Sequence, residues 1–238
     1  SLELTRCSVD AKLLQHFAEL PHLNELALTV CGQPADKYSG FASLQSLTFD
    51  ITPRQQMRSS YQSLGQVESV GAAHMGFLLS LPQLQRLCLR NYAGDMFVTA
   101  SALPVIAQLQ HLQSLDLRRR SIDERAVSAL ASLTNLTELT LSELGARTRE
   151  DPRSSNTFKA SSLQFLRSLT RLVTLRASGL AWSDGDLKLL DGMLSLETLD
   201  IGETRDERFT GEGMASLAHL PRLRTLELRR CPLTLGGL

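Results

Sequence analysis

The sequence predicts an α/β solenoid, a stack of strand-plus-helix units whose short strands form one concave parallel sheet with the helices on the convex side. Three observations predict it. A phrase of the form LxxLxLxxx recurs nine times along the 238 residues. The first strand leucine of each copy falls at 2, 26, 47, 87, 115, 139, 175, 199 and 226, giving spacings of 24, 21, 40, 28, 24, 36, 24 and 27 about a base period near 24. Between the phrases lie apolar sets at helical spacing. A unit of one strand and one helix cannot bury its apolar side alone, so the units must stack.

The strands come in chain order as SLELTRC at the start, HLNELALTVC at 22–31, SLQSLTFDIT at 43–52, QLQRLCLRNY at 83–92, HLQSLDLRRR at 111–120, NLTELTLSEL at 135–144, RLVTLRASGL at 171–180, SLETLDIGET at 195–204 and RLRTLELRRC at 222–231. Within each LxL the side chains alternate, so Leu115 and Leu117 face the core while Asp116 and Arg118 face away. Helices are expected where apolar residues step at helical intervals: Leu13, Leu14, Phe17 and Leu20; Ala126, Leu130 and Leu133 with Val127 and Ala131 beside them; Leu187, Leu190 and Met193. The two long spacings exceed 24 by 16 and 12 residues, which places insertions at about 53–72 and 145–161. Their Ser, Gln, Gly, Arg and Pro content reads as loop. Both leave the strand-to-helix rim of the stack, together with the shorter expansions at 91–101 and 202–213, where Tyr92 and Phe97 offer apolar anchors.

These residues resemble the leucine-rich repeat family over essentially the whole chain, and the resemblance implies a horseshoe-shaped leucine-rich repeat solenoid. Cys7, Cys31 and Cys231 occupy the last position of LxLxxC, and SIDERAVSAL and LAWSDGDLKLL echo an ITDxxLxxL segment. Both features are similar to the cysteine-containing subclass, as in the repeats of F-box substrate receptors. That resemblance implies cysteines turned inward to bond the backbone of the adjacent loop. Thr52, Tyr92, Arg120, Leu144, Leu180 and Thr204 stand in the same slot, so the ladder is discontinuous. The end unit, RRCPLTLGGL, carries no polar cap, and the chain is expected to be part of a longer protein.

Composition narrows the function. Lys+Arg and Asp+Glu both number 25, so no global attraction to nucleic acid or anionic lipid is expected. No apolar run approaches the roughly 18 residues of a membrane span. The four scattered cysteines suit reduced thiols and a cytoplasmic, intracellular protein rather than a disulfide framework or zinc site. No GxSxG, HExxH, P-loop or strand-turn-helix GxGxxG signature is present, and the five histidines follow the repeat rather than a ligand set. Acids such as Asp184 and Asp186 fall at helix starts, where capping explains them. The expectation is a non-enzymatic module with no metal, cofactor or small-molecule substrate.

Binding is then expected on the outward positions of the strands. Arg86, Arg90, Arg118 and Arg119 form a basic patch, interrupted by Asp116 and followed by Glu138 and Glu143, with Asn91, Tyr92, Thr140 and Arg176 completing the face. Mixed charge with a few apolar anchors suits a protein partner, and scarce aromatic residues argue against nucleic acid. The family resemblance implies a substrate-recognition or adaptor role. Its alternatives are the repeat domain of a pathogen effector or signalling receptor, or a GTPase-activating repeat protein.

Overall fold

The computed structural model describes residues 1–4, 16–31, 40–52, 69–70, 75–90, 97–98, 101–118, 121–122, 126–141, 158–204 and 206–234. Nine strands, β1 (Leu2–Leu4), β2 (Glu25–Cys31), β3 (Ser46–Thr52), β5 (Arg86–Arg90), β7 (Ser114–Asp116), β9 (Glu138–Thr140), β10 (Thr174–Arg176), β11 (Thr198–Asp200) and β12 (Thr225–Glu227), lie in chain order in one sheet. All neighbours are parallel, and the strand leucines stand in one file: Leu2, Leu26, Leu47, Leu87, Leu115, Leu139, Leu175, Leu199 and Leu226. The nine predicted leucines therefore set the register. A one-residue slip would turn the core file to solvent.

The convex layer differs from expectation. Its described helical segments are mostly 3₁₀: Gly76–Ser80, Val127–Ser132, Ala160–Ser168, Asp184–Leu190 and Glu212–His219, with short α-helical stretches at Leu103–Ile106 and at 16–18. The cause is in the apolar spacing. Leu163, Leu166, Leu169, Leu172 and Leu175 step by three and are all fully buried, as are Val127, Leu130, Leu133, Leu136 and Leu139. A 3₁₀ helix has three residues per turn, so such a file stays on one side; an α-helix would rotate it by about 60° per step. The i-to-i−3 bonds Leu133 N to Leu130 O (3.1 Å) and Leu136 N to Leu133 O (3.0 Å) continue the pattern through the turn into β9.

A second parallel sheet, β4 (Ser69–Val70), β6 (Phe97–Val98) and β8 (Ser121–Ile122), follows the concave strands on the way to the convex layer. The isolated bridge between Lys159 and Ala181 has the same place in later units, with Ala160 N donating to Ala181 O (3.1 Å) and Ala181 N to Phe158 O (3.0 Å). This amends the insertion limits. Ser69–Val70 is strand rather than loop, and Phe158 and Ala160 are core residues, because each supplies a backbone or apolar group to the adjacent unit. Residues 53–68, 71–72 and 145–157 of the two insertions lie outside the described residues. The expansion at 202–213 is also packed in, with Phe209 and Thr204 buried. At the far edge of the sheet, Leu226 is 39% exposed, while its counterparts from Leu26 to Leu199 are buried.

Candidate binding face

The leucine file occupies one side of the sheet, so alternation turns the flanking residues to the other. Three rows of side chains cross the concave face at the strand spacing of about 4.8 Å. The row before each leucine includes Glu25, Ser46, Arg86, Ser114 and Glu138. The row after it includes Thr48, Cys88, Asp116, Thr140, Arg176, Asp200 and Glu227. Two residues further on stand Arg118, Ser178, Gly202 and Arg229.

Asp116 and Arg118 act as one unit. The Arg118 guanidinium donates to both carboxylate oxygens, at 2.6 Å from Nη2 and 3.0 Å from Nε to Oδ2 and 3.1 Å from Nε to Oδ1. The Arg118 backbone N–H also donates to Asp116 Oδ1 at 3.1 Å. The bidentate contact fixes the plane of the guanidinium and offsets its charge. Asp116 retains 15% side-chain exposure and Arg118 52%, so the arginine edge is what solvent meets. At the sheet edge Arg229 Nη2 pairs with a single carboxylate oxygen, Glu227 Oε2.

The remaining expected residues separate. Arg86 Nη2 approaches Glu25 Oε1 at 3.4 Å, across the intervening strand β3, and both side chains are more than half exposed. Glu138 accepts a hydrogen bond from Ser114 Oγ at 3.0 Å. Arg176 is exposed in the central row. Thr140 is only 9% exposed: it is part of the floor between Asp116 and Arg176, its register partners, and does not project into solvent. Arg90 ends β5, where its backbone pairs with Asp50. The side chain of Arg90, and Asn91, Tyr92, Arg119 and Glu143 entirely, lie outside the described residues. The basic patch is thus, among the described residues, a set of compensated charges rather than a continuous cationic surface.

Glu25 and Ser114 did not emerge from the sequence as members of the face. Their signal was available, because both precede a strand leucine as Arg86 and Glu138 do. The inward slot also proves chemically tolerant. Cys231 Sγ is half-buried and lies 3.9 Å from Ile201 O and 3.8 Å from Arg229 O. Burial pushes its thiol pKa up, and hydrogen bonds from the backbone of Thr204 and Glu203 only partly oppose this. In the preceding unit Thr204 takes the slot. Its Oγ1 accepts from Trp182 N (3.0 Å) and donates to Trp182 O (3.3 Å), both buried. Leu180 takes it one unit earlier and is fully buried. Cys7 and Arg120, and the side chain of Cys31, lie outside the described residues.

Of the helix-start acids, Asp186 caps its own helix and Asp184 ties two units together. Ser183 N and Oγ donate to Asp186 Oδ2 at 2.9 and 2.6 Å. Asp184 reaches the next unit, accepting from Thr210 Oγ1 (2.6 Å), Thr210 N (3.1 Å) and Gly211 N (3.0 Å). Burial alone would raise the Asp184 carboxyl pKa, but the bonds from Thr210, Gly213 and Gly211 together hold it below the ordinary 3.8.

No group of three or more metal-ligating side chains occurs among the described residues, and no described helix is long and apolar enough to cross a membrane.

No protein-family model and no curated protein matches this sequence. Solved structures do resemble it in shape. An internalin, InlF, from Listeria monocytogenes aligns over 95% of this chain with a TM-score of 0.61 and 19% identity. Internalin C2 from the same species aligns over 92% with a TM-score of 0.50 and 20% identity. The plant peptide hormone receptor RGFR1, solved in complex with RGF2, aligns over 93% with a TM-score of 0.54 and 14% identity. The chain spans about half of the InlF chain (53%), 84% of internalin C2 and 30% of RGFR1. At these identities the likeness is one of architecture, and with the nine-stranded parallel sheet it makes the chain a leucine-rich repeat solenoid.

Proposed function

We propose that this chain is a protein-recognition module that binds a protein partner through its concave face. The observation that carries the reading is the Asp116–Arg118 unit: a guanidinium held in plane by a bidentate carboxylate, at the middle of a rigid sheet, with Arg176 exposed two strands away. An arginine whose rotamer is already chosen loses less entropy when it meets a partner. Nine strands at about 4.8 Å span roughly 40 Å, enough for the ~800 Å² per partner of a standard interface. RGFR1, which shares this architecture, was solved with RGF2 bound, in keeping with such a use. The finer role we propose is that of an intracellular adaptor or substrate-recognition domain. It is supported by a Cys231 thiol that serves as a backbone hydrogen-bond partner rather than half of a bridge.

The test compares capture of partners from native lysate by the wild type, an Arg118→Gln/Arg176→Gln variant and a convex-face Lys188→Glu control. The reading expects the double variant to lose the specific partner with its melting temperature nearly unchanged, since exposed ion pairs contribute only about 0–1 kcal/mol. Retention by the double variant and loss by the convex control would refute it.

A further inference from the structure

We propose that a second site, outside the concave rows, lies along the helix-to-strand edge of the middle units and takes the carboxylate of an acidic peptide segment. An open groove of about 380 Å³ runs there, across four consecutive units. Gln83 and Gln85 precede β5, His111 and Gln113 precede β7, and Asn135 and Thr137 precede β9; Arg171, before β10, closes the far end. The spacing of these positions is rigid, because the carbonyls of Gln85 and Gln113 each accept two backbone N–H groups from the next unit, at 2.7 and 3.0 Å and at 2.8 and 3.0 Å.

The charge at the end of the groove is the informative feature. Arg86, Arg118, Arg208, Arg224, Arg229 and Arg230 each approach a carboxylate, whereas Arg171, like Arg167, Arg176 and Arg222, does not among the described residues. Arg171 is held by a neutral amide instead. Its Nη1 donates to Asn135 Oδ1 at 2.8 Å, and Asn135 Nδ2 donates to Gln110 O at 2.8 Å. The guanidinium is oriented without being neutralised, and no acid lies within ion-pair distance of it among the described residues. Glu138, on the adjacent strand β9, accepts a hydrogen bond from Ser114 Oγ at 3.0 Å. A fixed, uncompensated guanidinium is suited to a carboxylate.

The rest of the lining identifies the ligand further. The side chains of Gln83, Gln85, His111 and Gln113 make no hydrogen bond among the described residues. Each glutamine amide both donates and accepts, which is what a peptide N–H and C=O require together. No large apolar side chain lines the groove, so an apolar ligand has nothing to bury against. An extended acidic peptide, with its carboxylate on Arg171 and its backbone over Gln85 and Gln113, uses each of these groups.

The experiment titrates the full isotope-labelled chain with an N-acetylated, C-amidated alanine pentapeptide carrying a central glutamate. The parallel arms are the same peptide with central glutamine, and sodium acetate. The glutamate peptide is expected to shift the side-chain amide signals of Gln85, Gln113 and Asn135 and the Arg171 guanidinium signal in a saturable way. The glutamine peptide should bind about 10-fold more weakly or worse, as loss of a charge-assisted bond predicts. Arg171→Gln should abolish the response with the backbone fingerprint otherwise intact, and Arg171→Lys should retain part of it. An equal response to the glutamine peptide, persistence in Arg171→Gln, saturation by acetate at the same concentration, or shifts confined to Arg118 and Arg176 would each overturn the proposal. Because the concave face is tested by other substitutions, either site can fail without the other.

Discussion

Replacing Gly213 with alanine should loosen the last two units. Gly213 sits in the first turn of the 3₁₀ helix Glu212–His219, and a Cβ built there would lie 2.5 Å from Asp184 O and 2.9 Å from Asp184 C and Cα. These are backbone atoms, so no side chain can swing aside. Ordinary van der Waals contact begins near 3.4 Å, and the two units would have to part by about 0.9 Å. Overpacking of this kind costs about 1–3 kcal/mol. The same movement stretches the bonds from Thr210 and Gly211 to the Asp184 carboxylate, and losing one bond to a charged group costs about 1.5–3 kcal/mol. A loss of about 2–4 kcal/mol follows if both contribute in part, which for a chain of this size lowers the melting temperature by roughly 4–16 °C. Urea unfolding followed by circular dichroism reads the total. Amide hydrogen exchange reads its location, which should be the units around Asp184 and Gly211 rather than those around Leu26. Gly185→Ala is the internal control: its Cβ would meet only Ser183 Oγ, at 3.9 Å, and the change should be neutral or slightly stabilising. If both substitutions prove equally mild, the close approach of the two units is wrong.

Thr204→Val should cost about 1–3 kcal/mol, since it leaves buried Trp182 backbone groups without the hydroxyl; the single tryptophan makes fluorescence the natural readout. Thr204→Ser should recover most of that loss. Leu115→Ala should cost about 2–5 kcal/mol, and a loss below about 1 kcal/mol in chemical denaturation would contradict the leucine file. The pH dependence has a definite sign. Asp184 has a folded pKa below its ordinary 3.8, so its contribution is present above that value and is lost as pH falls through the lower folded value. Stability measured below about pH 4 should therefore fall less steeply in Asp184→Asn than in the wild type, and parallel slopes would show that the carboxylate is not bonded as described.

Much of the architecture follows from composition and spacing alone. The nine leucines name the strands and their register, because alternation in a parallel sheet with one buried face leaves a single way to align LxL with LxL. The three-residue step that runs through Leu163, Leu166, Leu169, Leu172 and Leu175 is likewise written in the chain. It is a 3₁₀ signal that a general helical pattern also accommodates, so the helix type was missed although the positions were not. The insertion limits failed at Phe158 and Ala160 for a different reason: their polar neighbours resemble loop, and only the adjacent unit at Ala181 makes them core.

The face could not be read the same way. The chain specifies that Asp116, Thr140 and Arg176 share a row, but their roles depend on neighbours 24 to 36 residues distant in sequence and one strand away in space. Packing covers Thr140, a bidentate contact ties Arg118 to Asp116, and Glu25 reaches Arg86 across an intervening strand. The inward slot behaves alike, with Cys231, Thr204 and Leu180 each fitting according to what the next loop offers. Burial of leucine is non-directional and survives translation into a periodic pattern. Hydrogen bonds and charge pairs depend on angles and distances of tenths of an ångström, and those exist only once the units are stacked.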